Sequence, residues 1–180
     1  MMTVPDTRIE IEDIGCIERL LLPSGWICEA QDSLAVFSKR DSLTCFSPRN
    51  TRAKFSIFLS AKPNHTLLAD AARQIFALPT GHLQQTDLES ISSLVRGAED
   101  CRRFQPSKLA LELWNSRKVL IISGTWLQSK EELFWILVDS DGTGERLQEV
   151  LFMAPEEDYS SHLLEVMFSF KSIRWKQTGA

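Results

Sequence analysis

Between residues 53 and 61 the chain alternates. Phe55, Ile57 and Leu59 fall on one side, and Ser56, Phe58 and Ser60 on the other. A period of two is that of a β-strand, whose successive Cβ atoms point to opposite faces. Strands are predicted in the same way over 16–22, 26–29, 34–38 and 43–46. The turn cluster Pro23-Ser24-Gly25 halts the first of these, and Ser47-Pro48 the last. Past Pro63 the period changes. Leu67, Leu68, Ala71, Ala72, Ile75 and Leu78 recur at helical spacing, with Asp70, Arg73 and Gln74 opposite them. This predicts an amphipathic helix with Asn64 or Thr66 at its N-cap, ended by Pro79-Thr80-Gly81.

The stretch 83–117 is ambiguous. Leu88, Ile91, Leu94 and Val95 fit a helical stripe and a strand equally. Leu109, Leu111 and Leu113 alternate as in a strand, whereas Leu109, Ala110, Leu113 and Trp114 would suit a helix. The turn at Asn115-Ser116-Arg117 favours strand–turn–strand. Residues 118–128 and 132–139 read as long strands. Ser140-Asp141-Gly142-Thr143-Gly144 is a hairpin turn, and 146–154 is the returning strand. After Pro155, Asp158 is the expected N-cap of a helix over 159–172. Its buried stripe is Tyr159, Leu163, Val166, Met167 and Phe170, with Leu164 and Phe168 on the opposite side. Strands joined by short loops pair antiparallel. The order strands, helix, strands, helix predicts an α+β domain with helices covering a mainly antiparallel sheet. Residues 1–14 are read as an N-terminal arm and 15–176 as a single domain.

Composition adds bounds. Of 180 residues, 43% are apolar and 24% charged, which suits a globular chain. Twenty basic against 24 acidic residues leave a net charge of −4, which gives no electrostatic ground for nucleic-acid or membrane binding. No apolar run reaches the ~18 residues of a membrane span. The first residues lack the basic and apolar regions of a secretory signal. Cys16, Cys28, Cys45 and Cys101 include no Cys-x-x-Cys pair, so reduced thiols in a cytoplasm are expected.

Chemistry is sparse. His65, His82 and His162 are far apart, and no Gly-x-Ser-x-Gly elbow marks a nucleophile. His162 is expected to face solvent or cap the last helix. Asp139 and Asp141 bracket a glycine-bearing turn and are the one weak calcium candidate, because alternating carboxylates on a tight loop offer the hard oxygens that Ca²⁺ takes. A hairpin turn needs the same Asp and Gly without a metal. Lys39, Arg40, Arg49, Arg52 and Lys54 form a basic cluster that could meet an acidic partner. Outward Leu164 and Phe168, and Trp114 beside its turn, are further candidate partner-binding residues. No cofactor motif is present.

Two segments resemble a known group. Pro23-Ser24-Gly25-Trp26 lies early in the chain, and Ser169-Phe170-Lys171-Ser172-Ile173-Arg174-Trp175 closes the last helix. Together with the order of elements over residues 15–176, they resemble the PsbP-like superfamily. That group includes the extrinsic P subunit of photosystem II and a Ran-binding nuclear-import factor. The resemblance implies an α/β/α sandwich around a mainly antiparallel sheet, and a binding or assembly role rather than catalysis. The chain departs from the photosynthetic branch in lacking a lumenal targeting segment, and no residues match the Ran-contacting surface. The expected function is a non-catalytic protein-binding or assembly and chaperone-like module in the cytoplasm. The alternative is a small hydrolase or ligand-binding protein with a cleft between sheet and helix.

Overall fold

The computed structural model describes residues 8–29, 42–61, 66–84, 103–144 and 146–177. In chain order, β1 (Ile9–Ile14) and β2 (Ile17–Leu22) form a hairpin. They are followed by β3 (Ile27–Glu29), β4 (Ser42–Phe46) and β5 (Lys54–Ala61). Helix α1 (Thr66–Ala77) leads to the short β6 (Gly81–His82). Then come β7 (Phe104–Trp114), β8 (Arg117–Trp126), β9 (Glu131–Asp139) and β10 (Arg146–Pro155). Helix α2 (Glu156–Ser172) and β11 (Arg174–Trp175) end the described chain. Residues 9–14, read from the sequence as part of an arm, are thus a paired strand. The predicted strand at 34–38 and the ambiguous residues 85–102 lie outside the described residues.

All strand pairs are antiparallel. A small sheet runs β1-β2-β11, and a large one β3-β4-β5-β10-β9-β8-β7-β6. The meander from β7 to β10 follows from its short loops. Its first turn is a two-residue loop in which Asn115 (φ 49°) and Ser116 (φ 67°) both take positive φ. Such a turn matches the right-handed twist of the strands it joins. Between β5 and β6 the chain must pass from the middle of the large sheet to its far edge. Helix α1 lies on that route and packs against β8 and β9.

The central strands bury both faces. Residues 133–138 of β9 are all buried. Their odd members, Leu133, Trp135 and Leu137, join Leu120 and Ile122 under Ala72 and Ile75 of α1. Their even members, Phe134, Ile136 and Val138, join Val119, Ile121 and Phe152 under Val166 and Phe170 of α2. One apolar core therefore lies on each face of the sheet, each closed by one helix. The strand reading of 109–114 holds for the same reason: Leu109 and Leu111 enter the α1 core, while Trp114 packs on the α2 core. Phe170 centres that core, with ring centroids 4.9 Å from Phe134 and 5.1 Å from Phe55. Gly124 is required by close approach, because a Cβ there would lie 2.2 Å from the Gln105 carbonyl oxygen, next to the β7 bulge.

Three sequence expectations need correction. Helix α2 begins at Glu156, not at residue 159, with Pro155 at its N-cap. Proline suits a helix start because the first N–H groups have no partner inside the helix. Asp158 therefore lies inside the first turn, with Glu156 and Glu157, where acidic groups oppose the positive end of the helix dipole. His162 is buried at 2% exposure rather than facing solvent. Cys28 and Cys45 are not free thiols. They sit directly opposite each other on β3 and β4 and form a disulfide, while Cys16 is free and buried.

Candidate interaction site

The reactive residue types are mostly consumed inside the fold. His162 lies between two serines, with the Ser47 Oγ 2.8 Å from its Nε2 and the Ser161 Oγ 3.1 Å from its Nδ1. The ring's Nδ1 lies 3.0 Å from the Asp158 carbonyl oxygen, which only accepts, so Nδ1 carries the proton and Nε2 accepts from the Ser47 hydroxyl. Ser47 Oγ in turn accepts from the Arg49 N–H. Ser47 is 1% exposed, and the imidazole stands edge-on to Trp26 with centroids 6.2 Å apart. The Ser47–His162 pair fastens the loop after β4 to α2, and among the described residues no carboxylate side chain orients the ring.

The basic cluster meets the acidic side of the same helix. Arg49 pairs with Glu165, Arg52 lies 4.0 Å from Glu157, and Asn50 donates to the Asp158 carboxylate. Such exposed pairs are worth about 0–1 kcal/mol each, so they set register more than stability. Lys54 is half-buried on β5 between Phe46 and Met153 of the neighbouring strands. Lys39 and Arg40 lie outside the described residues.

The turn after β9 is closed by its own carboxylates. Asp139 accepts from the N–H groups of Gly142 and Gly144, and Asp141 from the N–H and hydroxyl of Thr143. Burial raises the Asp139 carboxyl above its ordinary range against those N–H bonds. At Asp141, burial pushes upward too, but the Thr143 hydrogen bonds outweigh it and hold the carboxyl low. Among the described residues, no three His, Cys, Asp or Glu side chains are grouped to hold a metal ion.

The remaining candidates gather on the outer side and C-terminal end of α2. Leu164 is 86% exposed and Phe168 44%. Phe168 is partly covered by Arg8, whose guanidinium carbon lies 3.9 Å from the ring centroid. Trp114 is half-buried rather than free. Its ring stacks on Phe134 and its Nε1 donates to Glu112 at 2.9 Å. Glu112 also receives Lys108 at 2.7 Å. Although burial raises its carboxyl, these two donors prevail and lower it.

A cleft of about 460 Å³ opens here, lined by Lys108, Glu112, Trp114, Phe134, Met167 and Lys171. It adjoins a second of about 530 Å³, which shares Asn115 and Lys171 and adds Arg19, Leu21 and Arg174. The positive-φ turn at Asn115 aims that amide at the Ile173 carbonyl, which joins the β7–β8 hairpin to the end of α2. Of the residues singled out in the sequence, Trp114 lines the first cleft, and Leu164 and Phe168 lie outside both. Sequence reading missed Lys108, Lys171, Arg19 and Arg174, which are far apart in the chain and meet only when β2, β7, α2 and β11 assemble. Neither cleft is lined by a histidine or cysteine.

No family model matches the chain, and no curated protein matches it. Solved structures do. The solution structure of cyanobacterial PsbP (CyanoP) from Synechocystis sp. PCC 6803 aligns with a TM-score of 0.58 over 97% of this chain and 95% of that one, at 10% identity. A Pseudomonas aeruginosa protein of unknown function aligns with a TM-score of 0.49, at 13% identity, over 96% and 99% of the two chains. A Bacteroides thetaiotaomicron protein gives 0.48 at 12% identity, over 95% of this chain and 49% of that one. The fold is PsbP-like: an α+β structure with a mainly antiparallel sheet and two described helices.

Proposed function

We propose that this PsbP-like fold serves as a non-catalytic protein-binding module with an assembly or chaperone-like role, and that α2 presents its partner surface. The observation that carries this reading is Leu164, a leucine left 86% exposed at the middle of a helix whose opposite side closes the main core. Exposed apolar side chains on an ordered helix gain free energy when a partner covers them. Phe168, one turn further on, extends the same strip. The other reactive groups have structural occupations: the Ser47–His162 pair is sealed, and Asp139 and Asp141 close their own loop.

The test is to crosslink the native chain and a Leu164→Glu variant in cell extract and identify the captured proteins by mass spectrometry. A protein recovered with the native chain and lost with Leu164→Glu supports the proposal. No specific protein with either chain, or the same protein with both, sinks it. Localisation follows the same logic: the proposal of a cytoplasmic module is checked by fractionating cells for the tagged protein. Among the described residues no helix is long and apolar enough to cross a membrane.

A further inference from the structure

We infer that the cleft at the C-terminal end of α2 receives an acidic segment of the partner protein. The segment lays an apolar side chain on Trp114 and brings carboxylates to Lys171 and Arg174. This inference rests on the protein-binding reading above and specifies the partner's chemistry.

The first argument is charge. Four cations, Arg19, Lys108, Lys171 and Arg174, line the two adjoining clefts against the single carboxylate of Glu112. The whole chain carries −4, so the cleft has the opposite sign to the molecule around it. An acidic segment is repelled elsewhere and attracted here, which is how complementary potentials select partner and site.

The second argument is that two of these cations are unspent. Arg19 pairs with Glu10, and Lys108 with Glu112. Lys171 and Arg174 have no carboxylate partner among the described residues. The end of α2 does not call on Lys171 either. The Phe170 carbonyl accepts from the Ile173 N–H, the Ser169 carbonyl from the Ser172 hydroxyl, and the Ile173 carbonyl from the Asn115 amide. A lysine at a helix terminus usually answers unpaired carbonyls, but here the Ser169 and Phe170 carbonyls already have other donors.

The third argument is preorganisation. Trp114 is fixed by stacking on Phe134, by its Nε1 bond to Glu112, and by the Trp175 Nε1 that donates to its carbonyl at 2.9 Å. A rigid aromatic platform loses little entropy on binding. The two clefts join at Asn115 and Lys171 and run from Lys108 to Arg19, a path suited to an extended segment. Nucleic acid is disfavoured on the same observations, because Glu112 interrupts the path and would face a phosphate at that point.

The experiment selects random dodecapeptides displayed on phage against the full chain. The best peptide is then synthesised and its affinity measured by fluorescence anisotropy at physiological ionic strength. Selected peptides are expected to carry several carboxylates beside an aromatic or leucine residue. The double variant Lys171→Glu/Arg174→Glu should weaken binding by about tenfold or more. Lys130→Glu, in the turn at the other end of β8, should leave it unchanged. A milder Lys171→Gln/Arg174→Gln variant, with near-UV circular dichroism matching the parent, covers any folding defect of the charge reversal and should show an intermediate loss. Selection of neutral or basic peptides overturns the inference. So does equal binding by the double variant, or tighter binding of a single-stranded oligodeoxythymidylate at the same cleft. The two proposals separate cleanly. If the crosslinked partner is lost with Leu164→Glu but kept with Lys171→Glu/Arg174→Glu, the cleft assignment falls and the binding reading stands. If Leu164→Glu loses nothing, the binding reading falls first.

Discussion

Replacing His162 by leucine tests whether the Ser47–His162 pair is a structural fastening. The ring is 2% exposed and makes hydrogen bonds through both nitrogens. Leucine is close in size and keeps the site apolar, so little cavity is expected. The main loss is at Ser47, itself 1% exposed, whose hydroxyl is left without an acceptor. A buried donor stripped of its partner costs about 1–3 kcal/mol. The edge-on contact with Trp26 adds about 0.5–1.5 kcal/mol. The expected destabilisation is therefore about 1.5–4.5 kcal/mol, which lowers a urea midpoint by about 0.8–2.2 M for a slope of about 2 kcal/mol per M. Ser47→Ala should cost about 1–3 kcal/mol by stranding Nε2 in the same way. The discriminating variant is the double one, Ser47→Ala/His162→Leu. With both polar partners gone, its cost should fall well short of the sum of the singles, leaving a coupling of about 1–3 kcal/mol. The assay is urea unfolding followed by tryptophan fluorescence. Additive singles, or a His162→Leu cost under about 0.5 kcal/mol, would falsify the fastening role.

Removing the disulfide by Cys28→Ser/Cys45→Ser opens a link across a sequence separation of 17 and should cost about 3 kcal/mol, measured by urea unfolding with and without reductant; a native chain insensitive to reductant would show that the bond does not form. Alkaline pH should unfold the chain. Burial raises the Cys16 thiol from 9.0 to about 11 and the Tyr159 phenol from 10.0 to about 12. Both groups keep their protons longer in the folded state, so their contribution is whole below pH 9, where the unfolded thiol is still protonated, and is lost as pH climbs through 11 and 12. Each is worth about 2–3 kcal/mol over that window; Cys16→Ala should remove the earlier part of the decline in urea midpoints, and an unchanged decline would contradict the assignment.

Much of the fold is legible in the chain because local period decides it. The meander from β7 to β10 and the turn at Asn115-Ser116 follow from alternation and turn chemistry, which act over a few residues. Helix α2 was legible in its apolar stripe but not in its start, since Pro155 begins a helix only because the strand before it ends there. His162 looked like a surface residue because nothing near it in sequence tells that Ser47, 115 positions away, satisfies its ring. The disulfide depends on the register of β3 against β4, which spacing alone cannot give. The cleft was the least legible feature. Trp114 carries a local signal because it stands beside a turn, whereas the cations come from β2, β7, α2 and β11 and have no common motif.

Strand β10 sets the order in which the molecule can be completed. Among the described residues it is the strand that touches both β5 and β9, and so joins the two halves of the large sheet. The ribosome makes β3, β4 and β5 early, but the edge of β5 has no partner until residues 146–155 have emerged. Until then the nascent chain holds an open strand edge on each half, the kind of surface that pairs with other chains. A chain cut short before residue 146 would keep both edges permanently. A premature stop or a proteolytic nick near the Asp139 turn should therefore be felt as aggregation of the whole protein, and not as loss of one terminal strand.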